Sequence, residues 1–437
     1  MIRVSHAAVM AAMLLAPGLP AWAQQESSNP QKFVQVMGST KEQRSLMASL
    51  GMSIEFVRSD SAWGFASESV LKDLQASGLK VAGVFDAEVA RGGHEGALDF
   101  PSNDAKFHNY AEVQQALNAM VTANADVAKI ESIGKSLEGR DLLAIHINTD
   151  PADLASGKSQ KPGMIYMGAH HAREHLSVEM PLMLADHLLK NRHDNQISAL
   201  LEGRDIWIIP MVNPDGCEYD VSTGSYKMWR KNRRNNGDGT MGVDLNRNYG
   251  FMWGSGGSSN DGSSDVFMGP KPFSEPETQA IRDFVTSHRN ATTLLTFHTF
   301  SELILYPWGH KYDAISDQRD HQVFDTMART MSQWNHYTPE QASQLYIASG
   351  DTTDWAYGEL KMFAFTFEMS PTSMWQGGFY PGASMIDKVF QDNLRPALYM
   401  LDLADNPYRV LDGGRNDGFL KNYHLPQVPS GDSIAGF

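Results

Sequence analysis

His171 and Glu174 stand three residues apart in the stretch Gly168-Ala-His-His-Ala-Arg-Glu-His175. The stretch follows an apolar run, Met164-Ile-Tyr-Met167, and precedes a helical pattern. At the exit of a strand both side chains can reach one metal ion. Zinc accepts imidazole nitrogen and carboxylate oxygen, and a catalytic zinc keeps three protein ligands and a water. A third ligand must then come from far along the chain, and His298 fits. His170 with Glu174, and His171 with His175, have the i,i+4 spacing that puts two side chains on one helix face. Neither pair makes an H-E-x-x-H arrangement, so a helical zinc site of that kind is not expected. Taken alone, an H-x-x-E pair is more often two solvated or hydrogen-bonded residues.

From Phe107 onward, apolar runs alternate with helical patterns. Asp141–Ile147, Met164–Gly168, Ile206–Val212, Thr293–Phe297 and Phe363–Phe367 read as sheet strands covered on both faces. Glu174–Lys190 and Ser274–His288 read as helices, the second with Ser274 and Glu277 at capping-box spacing. The expected fold is α/β, a mixed, mostly parallel central sheet with helices on both faces. Ligands in such folds bind at the carboxyl ends of strands, where His171, His298 and Glu368 fall.

Residues 24–100 read as a separate, small α+β domain. Strands are expected at Lys32–Met37, Ser53–Val57, Trp63–Ala66 and Lys80–Phe85, and helices at Thr40–Leu50 and Ser67–Ser77. Ser39 is the expected cap of the first helix and Gly51 its stop. The order βαββαβ is the split βαβ arrangement. Arg91-Gly-Gly-His-Glu-Gly96 reads as a linker into a larger domain, residues 101–404, followed by a polar, Gly- and Pro-containing tail, 405–437.

Further blocks follow the histidine motif in order: Trp229-Arg-Lys231, Val243-Asp-Leu-Asn-Arg-Asn248, Thr296-Phe-His-Thr-Phe-Ser301 with Tyr306-Pro-Trp-Gly309, Tyr346-Ile-Ala-Ser-Gly350 with Asp354-Trp355, and Phe365-Thr-Phe-Glu368. Together they resemble the zinc metallocarboxypeptidases related to carboxypeptidase A, over about residues 105–403. The resemblance implies one zinc ion held by His171, Glu174 and His298, with water in the fourth position. It implies Glu368 as the general base that takes the water's proton and passes it to the leaving amine. On its chemistry alone, a glutamate ending an apolar run is equally a hydrogen-bonded strand-end residue. Arg230 is implied as the stabiliser of the oxyanion, whereas Lys231, Arg233 and Arg234 are expected on a solvated basic face. Asn246 and Arg247 are implied to grip the free terminal carboxylate, which a guanidinium binds bidentately. Tyr346 is implied to cap the bound terminus and Arg173 to line the cleft further out. The N-terminal unit is implied to be a prodomain covering the cleft, cleaved between about Ala87 and Lys106. The alternative is a permanent accessory domain.

The terminal side chain would enter a pocket shaped by Ala348-Ser-Gly-Asp-Thr-Thr-Asp354. In this family an acidic residue at the position of Thr353 accompanies basic termini, and a large aliphatic one accompanies apolar termini. Neutral Thr353 beside Asp351 resembles the bacterial carboxypeptidase T branch. That implies apolar and aromatic termini, with Lys and Arg also cleaved. Phe300 stands where relatives often carry tyrosine.

Composition narrows the setting. The 437 residues carry 36 Lys and Arg against 51 Asp and Glu, a net charge of −15 that argues against a nucleic-acid partner. Arg3, the apolar Ala7–Leu19 and Ala21-Trp-Ala23 form a signal-peptide pattern cleaved after Ala23, so a secreted or periplasmic zymogen is expected. No other run is long enough to span a bilayer. The single cysteine, Cys217, allows no intramolecular disulfide and reads as a small buried residue. Gly254–Ser264 reads as a flexible loop; its Asp261 and the nearby Asp265 could bind calcium, though a solvated loop fits better. Peptides with a free C-terminus are the expected partners and a monomer the expected state. Two other readings compete: the same fold acting on cell-wall peptides or an acylamino acid, and a binding module without catalysis. The second should lack a ligand or the base, and this chain keeps them all.

Overall fold

The computed structural model describes residues 31–86 and 100–412. The expected signal peptide, the linker Arg91–Gly96 and most of the tail lie outside the described residues. Strands β1 (Lys32–Met37), β2 (Ser53–Val57), β3 (Ser61–Ala66) and β4 (Val81–Asp86) form an antiparallel sheet in the order β2-β3-β1-β4. Helices α1 (Lys41–Ser49) and α2 (Glu68–Ala76) pack on one face, giving the expected βαββαβ unit. Strand alternation sends Val34 and Val36 to the helices and Phe33 and Phe65 to the other face. There, with Phe56 and Trp63, they meet Met228, Phe300 and Phe379 of the larger domain. The cap of α1 is Thr40, not Ser39: its hydroxyl accepts from Gln43 N, and the Gln43 side chain returns a bond to Thr40 N. Ser39 has Glu42 at the same spacing, but the reciprocal pair of bonds that makes a capping box forms between Thr40 and Gln43.

In the larger domain, β5 (Ala128–Lys135), β6 (Asp141–Ile147), β7 (Gly163–Gly168), β8 (Asp205–Ile209), β9 (Ala291–Thr299), β10 (Leu303–Tyr306), β11 (Thr338–Gln341) and β12 (Phe363–Met369) build one sheet, ordered β11-β10-β12-β9-β7-β8-β6-β5. Its centre, β12-β9-β7-β8, is parallel, and antiparallel joins flank it at β10–β12, β6–β8 and β5–β6. Helices α3 (Tyr110–Ala123), α5 (Leu176–Lys190), α9 (Gln318–Asn335) and α11 (Ile386–Leu403) cover one face. Helices α8 (Pro276–Ser287) and α10 (Thr352–Leu360) cover the other. Short helices α4 (Pro151–Ser156), α6 (Asn195–Gly203) and α7 (Pro214–Val221) fill connections. On β7, Met164 and Tyr166 face one core and Ile165 and Met167 the other. Both faces are dry, which is why the strand is a continuous apolar run.

The two edge strands carry no such run, and the apolar run of a third strand is short. β5 is half-exposed at one edge, β10 spans only four residues, and β11, at the other edge, holds Pro339 and Glu340. The expected capping box of α8 is absent. Ser274 donates to the Glu275 carboxylate, and Asn248 Oδ1 instead accepts from Glu275 N and Thr278 Oγ1. Helix α5 begins at Leu176, leaving Glu174 in the preceding turn. That turn is tight: a Cβ on Gly168 would lie 1.9 Å from the Ser177 carbonyl oxygen. Glycine alone lets the strand end pass beneath the first turn of the helix.

Candidate active site

His298 on β9 and Glu368 on β12 are paired in register, so both side chains leave the same face of the sheet. The turn from β7 to α5 brings His171 and Glu174 alongside. His171 Nδ1 lies 2.7 Å from Glu174 Oε1, His298 Nδ1 lies 3.0 Å from Glu174 Oε2, and the two Nδ1 atoms are 3.2 Å apart. All three residues are buried, and they form the only group of three or more His, Cys, Asp or Glu able to share a metal ion among the described residues. The donor chemistry fits zinc. His171 Nε2 lies 3.1 Å from Asp244 Oδ1, so its proton is held there and the Nδ1 lone pair is left for a cation. Such a carboxylate behind a metal-binding histidine fixes the tautomer and orients the ring. Burial pushes the Glu174 carboxyl up, but His171 and His298 outweigh it and hold it well below the usual range. The other two histidines of the motif turn elsewhere: His175 to Asp220, and His170 to Tyr249 and Thr352.

Asp244 is the functional residue that sequence reasoning missed. It is fully buried, and its Oδ2 accepts from Arg230 Nε and Nη2, both at 3.0 Å. Its Oδ1 also accepts from Asn246 N at 2.9 Å. One carboxylate thus orients His171, Arg230 and the start of the Asn246–Arg247 pair. Against the effect of burial, Arg230 and His171 hold it ionised. The available signal was its place two residues before Asn246, together with the need of any metal-binding imidazole for an outer partner.

Glu368 lines the same cleft as His171, Glu174, Arg230, Asn246 and Arg247. Burial and the Glu174 carboxylate push it well above the usual range, with Arg230 opposing. Arg247 donates to the Asn246 carbonyl at 2.8 Å and approaches the Tyr346 hydroxyl at 3.4 Å. Leu305, Gly309, Ala342, Ala348, Asp351, Thr353 and Thr366 line the same cleft. Asp351 caps α10, its Oδ1 accepting from Thr353 N, Thr353 Oγ1 and Asp354 N, while Oδ2 is buried without a partner. Burial and the Asp354 carboxylate raise it to about 7.

The N-terminal domain reaches into this cleft, which Ile54 and Glu55 help to line. Glu55 Oε1 pairs with Arg173 Nη2 at 2.7 Å, and Asp265 holds Nη1 at 2.8 Å. The guanidinium is sandwiched between Phe65 and Phe379, 4.7 and 4.4 Å from their centroids. Ser45 of α1 accepts from Ile347 N at 2.9 Å, securing the loop that carries Tyr346.

The solvated basic face is corrected. Lys231 is buried, donating to Gly262 O and Ser264 O, and burial lowers it to about 8. Arg233 lies on the Tyr219 ring at 3.5 Å, and Arg234 pairs with Glu275 at 2.9 Å. The solvated loop is corrected in its second half only, for Gly254, Ser255 and Asn260 are exposed. Ser263, Ser264 and Asp265 are buried, and Gly257 presses on the Ile347 carbonyl so closely that a Cβ would come within 1.6 Å. Calcium finds no support: Asp265 is paired with Arg173, and Asp261 accepts from Ser69 and Ser263 N. Cys217 is buried, as expected. Among the described residues no helix is long and apolar enough to cross a membrane.

An α/β sheet with a histidine–glutamate–histidine group at its strand ends fits a metal-dependent enzyme. The family model described as zinc carboxypeptidase matches residues 113–396, and the chain belongs to that family. A zinc carboxypeptidase of Saccharothrix mutabilis subsp. capreolus is 35% identical over 430 residues, 94% of this chain and 98% of its own length. Carboxypeptidase B of Astacus astacus is 31% identical over 61% of this chain and 87% of its own length. The crystal structure of carboxypeptidase A from Helicoverpa armigera superposes with a TM-score of 0.69 at 26% identity, covering 86% of this chain and 98% of that one. The protein is therefore a hydrolase, a metallocarboxypeptidase that acts on peptides.

Proposed function

We propose that this enzyme removes apolar, aromatic and basic residues from the C-termini of peptides, and that it is exported as a zymogen. One arrangement carries the reading: His171, Glu174 and His298 converge beside Glu368, in a cleft also lined by Asn246, Arg247 and Arg230. When bound to those three side chains, zinc supplies a Lewis acid and a water acidified to a pKa of about 7. Glu368 takes a proton from the attacking water and returns it to the leaving amine. Arg230, aimed by Asp244, donates to the oxyanion as it forms. Asn246 and Arg247 hold the terminal carboxylate, and Tyr346 closes over it. Leu305, Gly309, Ala342 and Ala348 give a terminal Leu or Phe an apolar wall, and the unpaired oxygen of Asp351 accepts a terminal Arg or Lys. Glu55 and Ile54 in the cleft favour the N-terminal domain as an inhibitory prodomain. After its removal Arg173 exchanges Glu55 for substrate. The basic, apolar and small-residue order of residues 3–23 supports export.

The test uses the full chain before and after limited trypsin treatment, with N-blocked dipeptides ending in Phe, Leu, Arg and Glu. Terminal release should appear after cleavage, vanish with a zinc chelator, and fail on C-terminal amides. Full activity in the uncut chain removes the zymogen reading. A preference between Phe and Arg beyond about a thousandfold, roughly 4 kcal/mol, removes the mixed-specificity reading.

A further inference from the structure

His170 adjoins the metal-binding pair without joining it. Its ring is fully buried against His298, with centroids 5.5 Å and planes 16° apart. Its Nε2 lies 2.9 Å from the Tyr249 hydroxyl and 3.1 Å from Thr352 Oγ1, and its Nδ1 lies 3.2 Å from Thr296 Oγ1. Thr352 binds the Asn246 side chain twice: its N–H and its hydroxyl both donate to Asn246 Oδ1, at 2.9 and 2.8 Å.

Counting protons orders this chain of contacts. A threonine hydroxyl has one proton to give. Thr352 gives it to Asn246, so toward His170 it can only accept. A proton on His170 Nε2 meets two acceptors, the Thr352 and Tyr249 hydroxyl oxygens, and leaves Nδ1 to accept from Thr296 Oγ1. With two donors on Oδ1, the Asn246 amide cannot turn over, and its NH2 group is the end left for the cleft that Asn246 lines. Turned over, the amide would offer an acceptor oxygen to an anionic carboxylate, which it would repel.

We propose that His170 is a positioning residue for recognition of the substrate's terminal carboxylate, acting through Thr352 to hold the Asn246 amide with its nitrogen toward the cleft. The inference rests on the reading that Asn246 grips that carboxylate. The relay ends at Asn246, so breaking it weakens carboxylate binding and leaves the hydrolytic step largely alone.

His170→Phe, Thr352→Val, their double variant, His170→Gln and Asn246→Ala would be made in the full chain, activated like the wild type and checked for zinc content. Each is titrated with two inhibitors: 3-phenylpropanoate, which presents a carboxylate, and an aryl hydroxamate without one, which binds the metal alone. His170→Phe and Thr352→Val should each weaken phenylpropanoate and raise KM by about tenfold, the scale of a misplaced hydrogen-bond partner. Hydroxamate affinity and kcat should hold. The double variant should be no worse than the weaker single, because both break one relay. His170→Gln, which keeps a donor, should recover most of the loss. Equal weakening of both inhibitors would mean general damage to the site and overturn the proposal. So would unchanged phenylpropanoate binding in His170→Phe and Thr352→Val where Asn246→Ala loses it. If Asn246→Ala itself binds phenylpropanoate normally, the reading of Asn246 fails, and this proposal with it.

Discussion

Asp244 and Asp351 are both buried aspartates serving one cleft, and they are built on opposite terms. Asp244 spends both oxygens, on Arg230, His171 and the Asn246 N–H, and stays ionised although it is fully buried. Asp351 binds the first turn of α10 with one oxygen, leaves the other unpaired, and is raised to about 7. Around Asp244, every group that must keep its charge has that charge matched. Around Asp351, burial and the neighbouring Asp354 carboxylate leave a charge that pH and substrate can change. The metal corner is built for one geometry, and the pocket is built for choice.

If the division holds, damage to the metal corner lowers turnover on every substrate alike, and damage to the pocket changes their ranking. The largest effect is expected from Glu368→Gln, a loss of about 10³-fold in kcat, within the range of general acid–base catalysis, equal for Phe- and Arg-terminated dipeptides. Asp244→Ala should follow, with a loss of roughly 10- to 100-fold in zinc affinity or activity, read by dialysis against a chelator and again indifferent to the terminal residue. An Arg-selective loss in that variant would break the comparison.

Asp351→Asn should lower kcat/KM for Arg-terminated substrates by about tenfold, as expected for a lost charge-assisted contact, and leave Phe unchanged. In the wild type the Arg-to-Phe ratio should rise as pH passes upward through about 7, because the carboxyl is neutral below that value and anionic above it. The Asp351→Asn variant should flatten that rise. The same shift has a stability sign. The folded carboxyl keeps its proton to about 7, whereas the unfolded one loses it near the ordinary aspartate value of 3.8. Across that window the folded state binds more protons, so this group lowers stability as pH rises. The same Asp351→Asn substitution should remove that slope from the melting temperature. The smallest effect belongs to Thr40→Ala, outside both corners: a loss of about 1 kcal/mol for an N-cap in the N-terminal domain, with activity after cleavage unchanged.

The blocks that line the cleft were legible because each is short and keeps its chemistry in a few adjacent residues. Asp244 was in plain view within Val243–Asn248, but its role depends on what stands across from it in space. The central strands were legible because burial on both faces makes them continuous apolar runs, and the edge strands β5 and β11 were not. Lys231 looked solvated because its partners, the carbonyls of Gly262 and Ser264, lie far along the chain and carry no side-chain signature. The Gly- and Ser-rich loop looked loose for a related reason. Its serines are held by Gly51, Ser67 and Ser69 of the N-terminal domain, contacts that local composition cannot register.

The most direct test of the central claim is zinc content measured together with hydrolysis of a blocked Phe-terminated dipeptide, in the activated wild type and in His171→Ala and His298→Ala. A single zinc per wild-type chain, lost with activity in both variants, is the predicted result. Zinc retained at the wild-type level with undiminished hydrolysis in either variant would contradict the assignment of the site.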